Sequence, residues 1–373
     1  MPPLRNACST LQFPLSYRPR AGHEDTLLWS RILSGAMGSR IPLPLVLCLG
    51  LLLATLPVSA HAPLGPGENG DRAHATLIPD PLKSYVVYGH LHEAGEAAWF
   101  RMEMARGDRL VLAVNVNRAD SPLPNLVVSG PGIMPSGPVP PGLKLLAQDQ
   151  AVVMIGTLPV KGEYEPFSPS VIYEVASFTT TIEQPGTYYA SVAAPEGETD
   201  YSFVVGYRED FTIAEWLTIP LSLIGIYLWE GQPAWAVAAP YIIVILAGLG
   251  ILLWQQEKEG IKRGIREWLA SLAGLLYLGT GASTLCQMFW ALSLTGYAPE
   301  CAVTLIFAII PALLGIWILR LGRPGLPDTR RRRISLAVAG LLGLVAWAGL
   351  LLGPVLAIIA AVLPGESGGK DPG

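Results

Sequence analysis

The sequence predicts an exported all-β sandwich of about seven to nine strands followed by an α-helical four-span membrane bundle. Three observations carry that reading. Residues 61–210 alternate apolar and polar side chains with period two between turn-forming clusters. From Trp235 onward, long apolar runs contain no charged residue. Ahead of both, residues 37–60 have the layout of a secretory signal. Composition agrees: of 373 residues, 51% are hydrophobic and 14% charged, against roughly 25% charged in soluble globular domains. That balance argues against a single soluble enzyme. The formal net charge of −4 hides a split, since 61–210 holds 18 acidic and 9 basic residues while 211–373 holds 9 and 11. An acidic domain precedes a faintly basic membrane part. No basic face marks nucleic acid as a partner.

Residues 1–36 lack periodicity and precede a second methionine, Met37, so they read as an over-extended start or a leader. From Met37 the chain shows a short basic region at Arg40, an apolar stretch from Ile41 to about Leu56, and then Val58-Ser59-Ala60. Small residues three and one before the break are the cleavage signature. Cleavage after Ala60 is expected, which makes His61 the mature N-terminus; an uncleaved signal anchor is the alternative. Processing removes Cys8 and Cys48 and leaves Cys286 and Cys301 in or beside membrane helices. The exported domain, 61–210, contains no cysteine, so disulfides do not hold it together.

After a Pro/Gly-rich lead, Tyr85, Val87 and Leu91 share one face of a strand, as do Leu110, Leu112, Val114 and Val116 of a second. Tyr201, Phe203, Val205 and Tyr207 alternate with Ser202, Val204, Gly206 and Arg208 near the end of the domain. This alternation indicates half-buried antiparallel strands. Turns at Arg106-Gly107-Asp108, Ser129-Gly130-Pro131-Gly132, Gln184-Pro185-Gly186 and Pro195-Glu196-Gly197 separate them. Met102 and Met104 alternate with Arg101 and Glu103 as core residues do. The acidic residues Glu163, Glu165, Glu174, Glu196, Glu198 and Asp200 lack an EF-hand ligand ladder and read as a solvated acidic surface.

Three stretches resemble the prepeptidase C-terminal-like (PPC-like) β-sandwich domains of secreted proteins. These are Gly89 through Gly107-Asp108-Arg109-Leu110, then Gln184-Pro185-Gly186-Thr187-Tyr188-Tyr189-Ala190-Ser191-Val192, and the closing strand Tyr201 to Tyr207. Asn125 to Gly132 and Tyr164-Glu165-Pro166-Phe167 are similar to a membrane-anchored variant of that domain. The resemblance covers roughly 84–207. It implies an accessory role in binding or stability and names no ligand.

A helix needs about 20 apolar residues to span the hydrocarbon. Four runs qualify within 230–363: about 234–254, 268–294, 301–319 and 334–363. Lys258, Lys262, Arg263 and Arg266 follow the first, and Arg320, Arg323 and Arg330–Arg333 follow the third. With 61–210 exported, four spans put both basic loops in the cytoplasm and the tail, 364–373, outside, as the positive-inside rule requires. The segment 211–229 is apolar but would invert this topology if it crossed. It is therefore expected to be interfacial or re-entrant, with Trp216, Tyr227, Trp229 and Trp235 as anchors. No Asp, Glu, Lys, Arg or His lies inside the four runs, which argues against pumps and ion-coupled transporters. Gly349 and Gly353, with Ala339 and Gly343, suit close helix packing. Thr280, Ser283, Thr284, Cys286 and Gln287 are placed to bond across helices or line a small cavity.

Four of the five histidines fall between 61 and 92. His90 and His92 sit two apart on a strand, so both rings leave one face. A mature His61 offers its α-amino nitrogen and its imidazole. His61, His90 and His92 thus form a candidate metal set, and three nitrogen donors with an amino-terminal chelate suit copper. The competing reading puts His90 and His92 on the solvated face; His74 is a spare ligand. No Walker loop, dinucleotide fingerprint, HExxH or GxSxG is present, and no histidine follows His92, so no enzyme activity is expected. The leading expectation is a multi-pass cell-membrane protein whose extracytoplasmic sandwich is an interaction or scaffolding module. Its expected partners are the lipid bilayer and other envelope membrane proteins. Copper binding is the alternative, and a small-molecule permease the third reading.

Overall fold

The computed structural model describes residues 61–146, 150–260 and 262–364. The leader 1–36, the signal segment 37–60 and residues 365–373 of the tail lie outside the described residues. The N-terminal region holds eleven described strands. They are β1 (Ala62–Pro63), β2 (Thr76–Leu77), β3 (Tyr85–Leu91), β4 (Ala97–Met104), β5 (Arg109–Val116), β6 (Asn125–Ser129), β7 (Ala151–Met154), β8 (Glu163–Glu165), β9 (Ser170–Thr181), β10 (Gly186–Ala193) and β11 (Thr199–Val205). One sheet runs β1-β3-β11-β5-β9-β8 and the other β2-β4-β10-β6-β7.

Both sheets are mixed. Their long strands pair antiparallel, whereas the two-residue strands β1 and β2 join β3 and β4 in parallel. These two short strands exceed the expected number because a two-residue strand cannot display a period-two pattern. Alternation did select the inner faces: Tyr85, Val87 and Leu91 are buried, as are Leu110, Leu112, Val114 and Val116. Met102 and Met104 join the same core. The two sheets share it, with the Phe100 ring of β4 stacked 4.2 Å from the Phe203 ring of β11.

Six described helices follow: α1 (Ile213–Trp229), α2 (Ala234–Glu259), α3 (Ile265–Thr295), α4 (Cys301–Leu321), α5 (Arg330–Val345) and α6 (Leu352–Val362). Three of them, α2, α3 and α4, are long and apolar enough to cross a membrane. In α2 only Val237 is buried, while Ile242, Ile243, Leu246, Ile251 and Leu253 are exposed. A helix apolar on all sides with its side chains outward has lipid as its natural surroundings.

The fourth expected run, 334–363, is not one helix. It divides into α5 and α6 at a turn where Trp347, Gly349, Leu350 and Leu351 all have positive φ. The reason lies in α3. The Tyr277 ring occupies a slot in which a Cβ on Gly349 would lie 2.7 Å and one on Gly353 2.6 Å from ring carbons. Gly349 (φ 74°) turns the backbone there, and its N–H donates to the Thr280 hydroxyl at 2.8 Å. Hydropathy is blind to such a break, because the turn is as apolar as the helices it joins.

Segment 211–229 folds as α1, started by a reciprocal cap. The Thr212 hydroxyl accepts from the Glu215 N–H at 3.2 Å, and the Glu215 carboxylate accepts from the Thr212 N–H at 2.8 Å. Its expected aromatic anchors turn mostly inward. Tyr227 is buried, Trp216 packs on Trp347 at 4.6 Å, and Trp229 meets Tyr88 edge-on at 5.0 Å; Trp235 is exposed.

Candidate functional site

A constellation of polar side chains lies where the β region meets the helices. Lys83, just before β3, donates to both carboxylate oxygens of Glu215 at 2.7 Å. Burial opposes the charge on each, yet the pairing prevails, raising the Lys83 ammonium and holding the Glu215 carboxyl below its ordinary value. Asn117 donates to the Trp229 carbonyl at 2.6 Å. Tyr164 in β8 meets the fully buried Thr304 of α4 at 2.6 Å. The following residue but two, Phe167, meets Phe307 of α4 edge-on at 5.4 Å, and Phe307 stacks with Trp347. Glu230, which ends α1, accepts from the Val171 N–H at 2.9 Å and from Gln232 at 3.1 Å. Gln232 and Gln287 exchange two amide hydrogen bonds, at 2.8 and 2.9 Å.

Two cavities sit inside this junction. The first, of about 70 Å³, has a polar rim of His61, Tyr88, Glu165, Ser168 and Ser222 beside Ile219, Leu223 and Ile226. The second, of about 50 Å³, lies between α1, α2, α3, α4 and the α5–α6 turn, with Ile224, Val237 and Leu350 among its walls. Thr280, Ser283 and Thr284 edge it. Phe167, Leu223 and Trp347 line both, so the two are neighbouring compartments. The α5–α6 turn supplies Trp347 and Leu350. Non-glycine residues at positive φ cost on the order of 1–3 kcal/mol each and persist where packing over-determines them, commonly around binding sites.

Electrostatics distinguish the rim. Removal from water pushes the Glu165 carboxyl up to about 7, although the Phe167 N–H donates to it at 3.0 Å. The same cause lifts Glu230 to about 7 against its donors Val171 and Gln232. Burial lowers His61 to about 4, so its ring is neutral at physiological pH. Among the described residues no cation is ion-paired to Glu165. The sequence pattern places Glu165 on a solvated acidic surface. The structure half-buries it at a cavity, because the β8–β9 connection is folded back onto α4.

The candidate metal residues are spread out. Pairing of Ala62 with Tyr85 sets His61 level with Ser84, whose hydroxyl lies 2.5 Å from its Nδ1. His90 is six residues farther along β3, roughly 20 Å at the rise of a strand. His90 and His92 do come together, with ring centroids 4.5 Å apart. Leu91 is buried between them, leaving His92 exposed and His90 half-buried on the outer face. His90 is held by Asp200 at 2.8 Å and Glu198 at 3.3 Å, and His74 by Asp71 at 2.9 Å. Among the described residues no group of three or more His, Cys, Asp or Glu side chains is placed to hold a metal ion.

Of the polar cluster the sequence singles out, Thr280 accepts from Tyr241 of α2 and from the Gly349 N–H, and Gln287 bonds to Gln232 in the α1–α2 connection. Thr284 instead donates to the Thr280 carbonyl within α3, and Cys286 is exposed; Thr280, Ser283 and Thr284 line the second cavity. Sequence reasoning missed the role of Glu230 and Tyr88. The one available signal for Glu230 was a lone carboxylate between two apolar runs. No protein-family model and no curated protein matches the chain.

Proposed function

We propose that the chain is a non-catalytic, multi-pass membrane protein of the cell envelope whose exported β domain is an interaction or scaffolding module. The basic segments between α2 and α3 and between α4 and α5 lie on the cytoplasmic side in this reading. The carrying observation is a division of labour within the β domain. One end is clamped onto the helices through Lys83–Glu215, Tyr164–Thr304 and Val171–Glu230. Meanwhile Met134, Ile155 and Val160, on the connections flanking β7, leave large apolar side chains exposed. A domain held in a fixed orientation with exposed apolar side chains on its loops suits protein recognition. The two sheets around one core support the resemblance to PPC-like β-sandwich modules, which are accessory in role.

The test is purification of the tagged full chain from its native membranes in mild detergent, beside the double variant Ile155→Glu, Val160→Glu. Defined envelope proteins should accompany the parent chain and be lost from the variant, with the melting temperature unchanged. Retention of the same partners by the variant would rule out these loops as the docking surface.

A further inference from the structure

We infer that the end of the helical part formed by the α2–α3 and α4–α5 connections is a docking surface for the phosphate heads of anionic phospholipids, with Arg330 and Arg331 as the side chains that hold them. This rests on the membrane placement of the helices proposed above.

The two connections make one surface. Arg263, just before α3, donates to the Gly322 carbonyl at the end of α4 at 3.2 Å. Arg266 of α3 pairs with Asp328 at 2.5 Å, and Arg332 of α5 pairs with Glu267 of α3 at 3.2 Å. These ties gather like charge. Residues 255–267 and 320–333 contain ten Lys and Arg against four Asp and Glu, in a chain whose formal net charge is −4. The fold sorts the cations by use. Arg332 is buried and donates to the carbonyls of Leu321, Arg323 and Leu326 as well as to Glu267, so it staples the α4–α5 connection. Arg333 shares Asp328 with Arg266. Arg330 and Arg331 are exposed and, among the described residues, paired with no carboxylate.

Their position favours an anion. Arg330–Arg333 open α5, whose first turn holds no acidic residue. The helix dipole is positive at that end, so the four guanidiniums are repelled by the dipole as well as by one another. Glu267 and Asp328 answer Arg332 and Arg333, and the first two arginines are left to groups from outside the chain. Aromatic residues beside the cluster set its level and so identify the source of the anion. Trp254, near the end of α2, is exposed with the Lys258 ammonium 5.0 Å from its ring centroid, and the Arg263 guanidinium lies 5.9 Å from that of Trp268. Tryptophan at the end of an apolar span sits at the headgroup level, which is the plane of the lipid phosphates. A basic cluster held there gains about fivefold in attraction to an anionic leaflet per side chain. Arginine also matches a phosphate with two parallel hydrogen bonds.

The experiment is native mass spectrometry of the detergent-solubilised full chain. It is titrated with dioleoyl phosphatidylglycerol or, separately, dioleoyl phosphatidylcholine, which has the same tails and no net charge. At about 0.05 M salt the anionic lipid should be retained at least about tenfold more strongly, and the preference should shrink at about 0.5 M salt. Arg330→Gln combined with Arg331→Gln should reduce the preference by about tenfold or more, with the melting temperature unchanged. Arg330→Lys combined with Arg331→Lys keeps the charge and should keep most of the preference. Arg106→Gln combined with Arg109→Gln, the same charge removed from the β domain, should leave it intact. Equal retention of the two lipids, a preference that survives the glutamine pair at 330 and 331, or its loss from the β-domain pair overturns the inference. Tighter retention of a single-stranded RNA than of the anionic lipid at equal phosphate also overturns it. Recovery of the chain as a soluble protein without detergent overturns the membrane reading and the inference with it. Membrane recovery with equal retention overturns the inference alone.

Discussion

The Tyr164 hydroxyl donates to Thr304, which donates in turn to the Pro166 carbonyl. The distances are 2.6 Å and 2.7 Å, and the threonine has one proton to give, so the direction of the relay follows. Two residues from β8 and its following turn thereby close on one buried hydroxyl of α4. Removing the hydroxyl at either end has unequal consequences. Tyr164→Phe leaves Thr304 bonded to Pro166 and should cost about 1 kcal/mol. Thr304→Val strands both the Tyr164 O–H and the Pro166 carbonyl and should cost about 2–4 kcal/mol. Thermal unfolding of both variants in detergent checks the order; an equal loss would contradict the relay.

Lys83 is nearly inaccessible, so its charge depends on Glu215, which is a quarter exposed. Glu215→Gln should destabilise the junction by about 1–3 kcal/mol, a range already reduced for that exposure. Lys83→Met combined with Glu215→Gln should recover part of the loss, giving a favourable coupling in a double-mutant cycle. The Glu215 carboxyl is held below its ordinary 4.5. Its contribution is therefore complete above that value and disappears as the pH falls through the depressed one.

Glu230 has the opposite sign. Its carboxyl is lifted from 4.5 to about 7, so the folded chain binds the proton more tightly than the unfolded one. Stability should therefore fall as the pH rises from about 4.5 to about 7 and level off beyond. Glu230→Gln should remove about 1–3 kcal/mol of that decline while preserving an acceptor for the Val171 N–H. Amide exchange at Val171, followed with pH in the parent and the variant, is the direct readout. An unchanged pH profile in the variant would show that Glu230 is not the titrating group.

Tyr277 packs directly on Gly343. A Cβ at position 343 would lie 1.8 Å from the Tyr277 hydroxyl oxygen and 2.3 Å from Cζ. Gly343→Ala should displace the ring, break its hydrogen bond to the Ala339 carbonyl and cost about 1–3 kcal/mol. Tyr277→Phe should not rescue it, because the ring carbon still clashes. Tyr277→Leu in the Gly343→Ala background should rescue in part, and melting temperatures of the four chains decide between these outcomes.

Local pattern determined a large part of this protein. Period-two alternation picked out the buried faces of β3 and β5 and, in β11, Tyr201, Phe203 and Val205, though Tyr207 lies beyond the strand and is exposed; unbroken apolarity placed α2, α3 and α4 within a few residues. Both signals are written in neighbouring residues, since burial on one side of a strand, or on all sides of a lipid-exposed helix, selects side chains directly. The candidate site was not written that way. Glu165 and Glu230 are 65 positions apart, and neither differs by type from a surface carboxylate. The α5–α6 break also escaped notice, since Tyr277, the side chain that fills the turn, lies some seventy residues before it. His61 separates from His90 because one parallel pairing sets their register, whereas His90 and His92 stay together by strand geometry alone. Sequence by itself determined the long strands β3, β5 and β11 and the apolar helices α2, α3 and α4. Tertiary structure alone decided which carboxyls lose their water, because desolvation depends on what folds against a group from elsewhere in the chain.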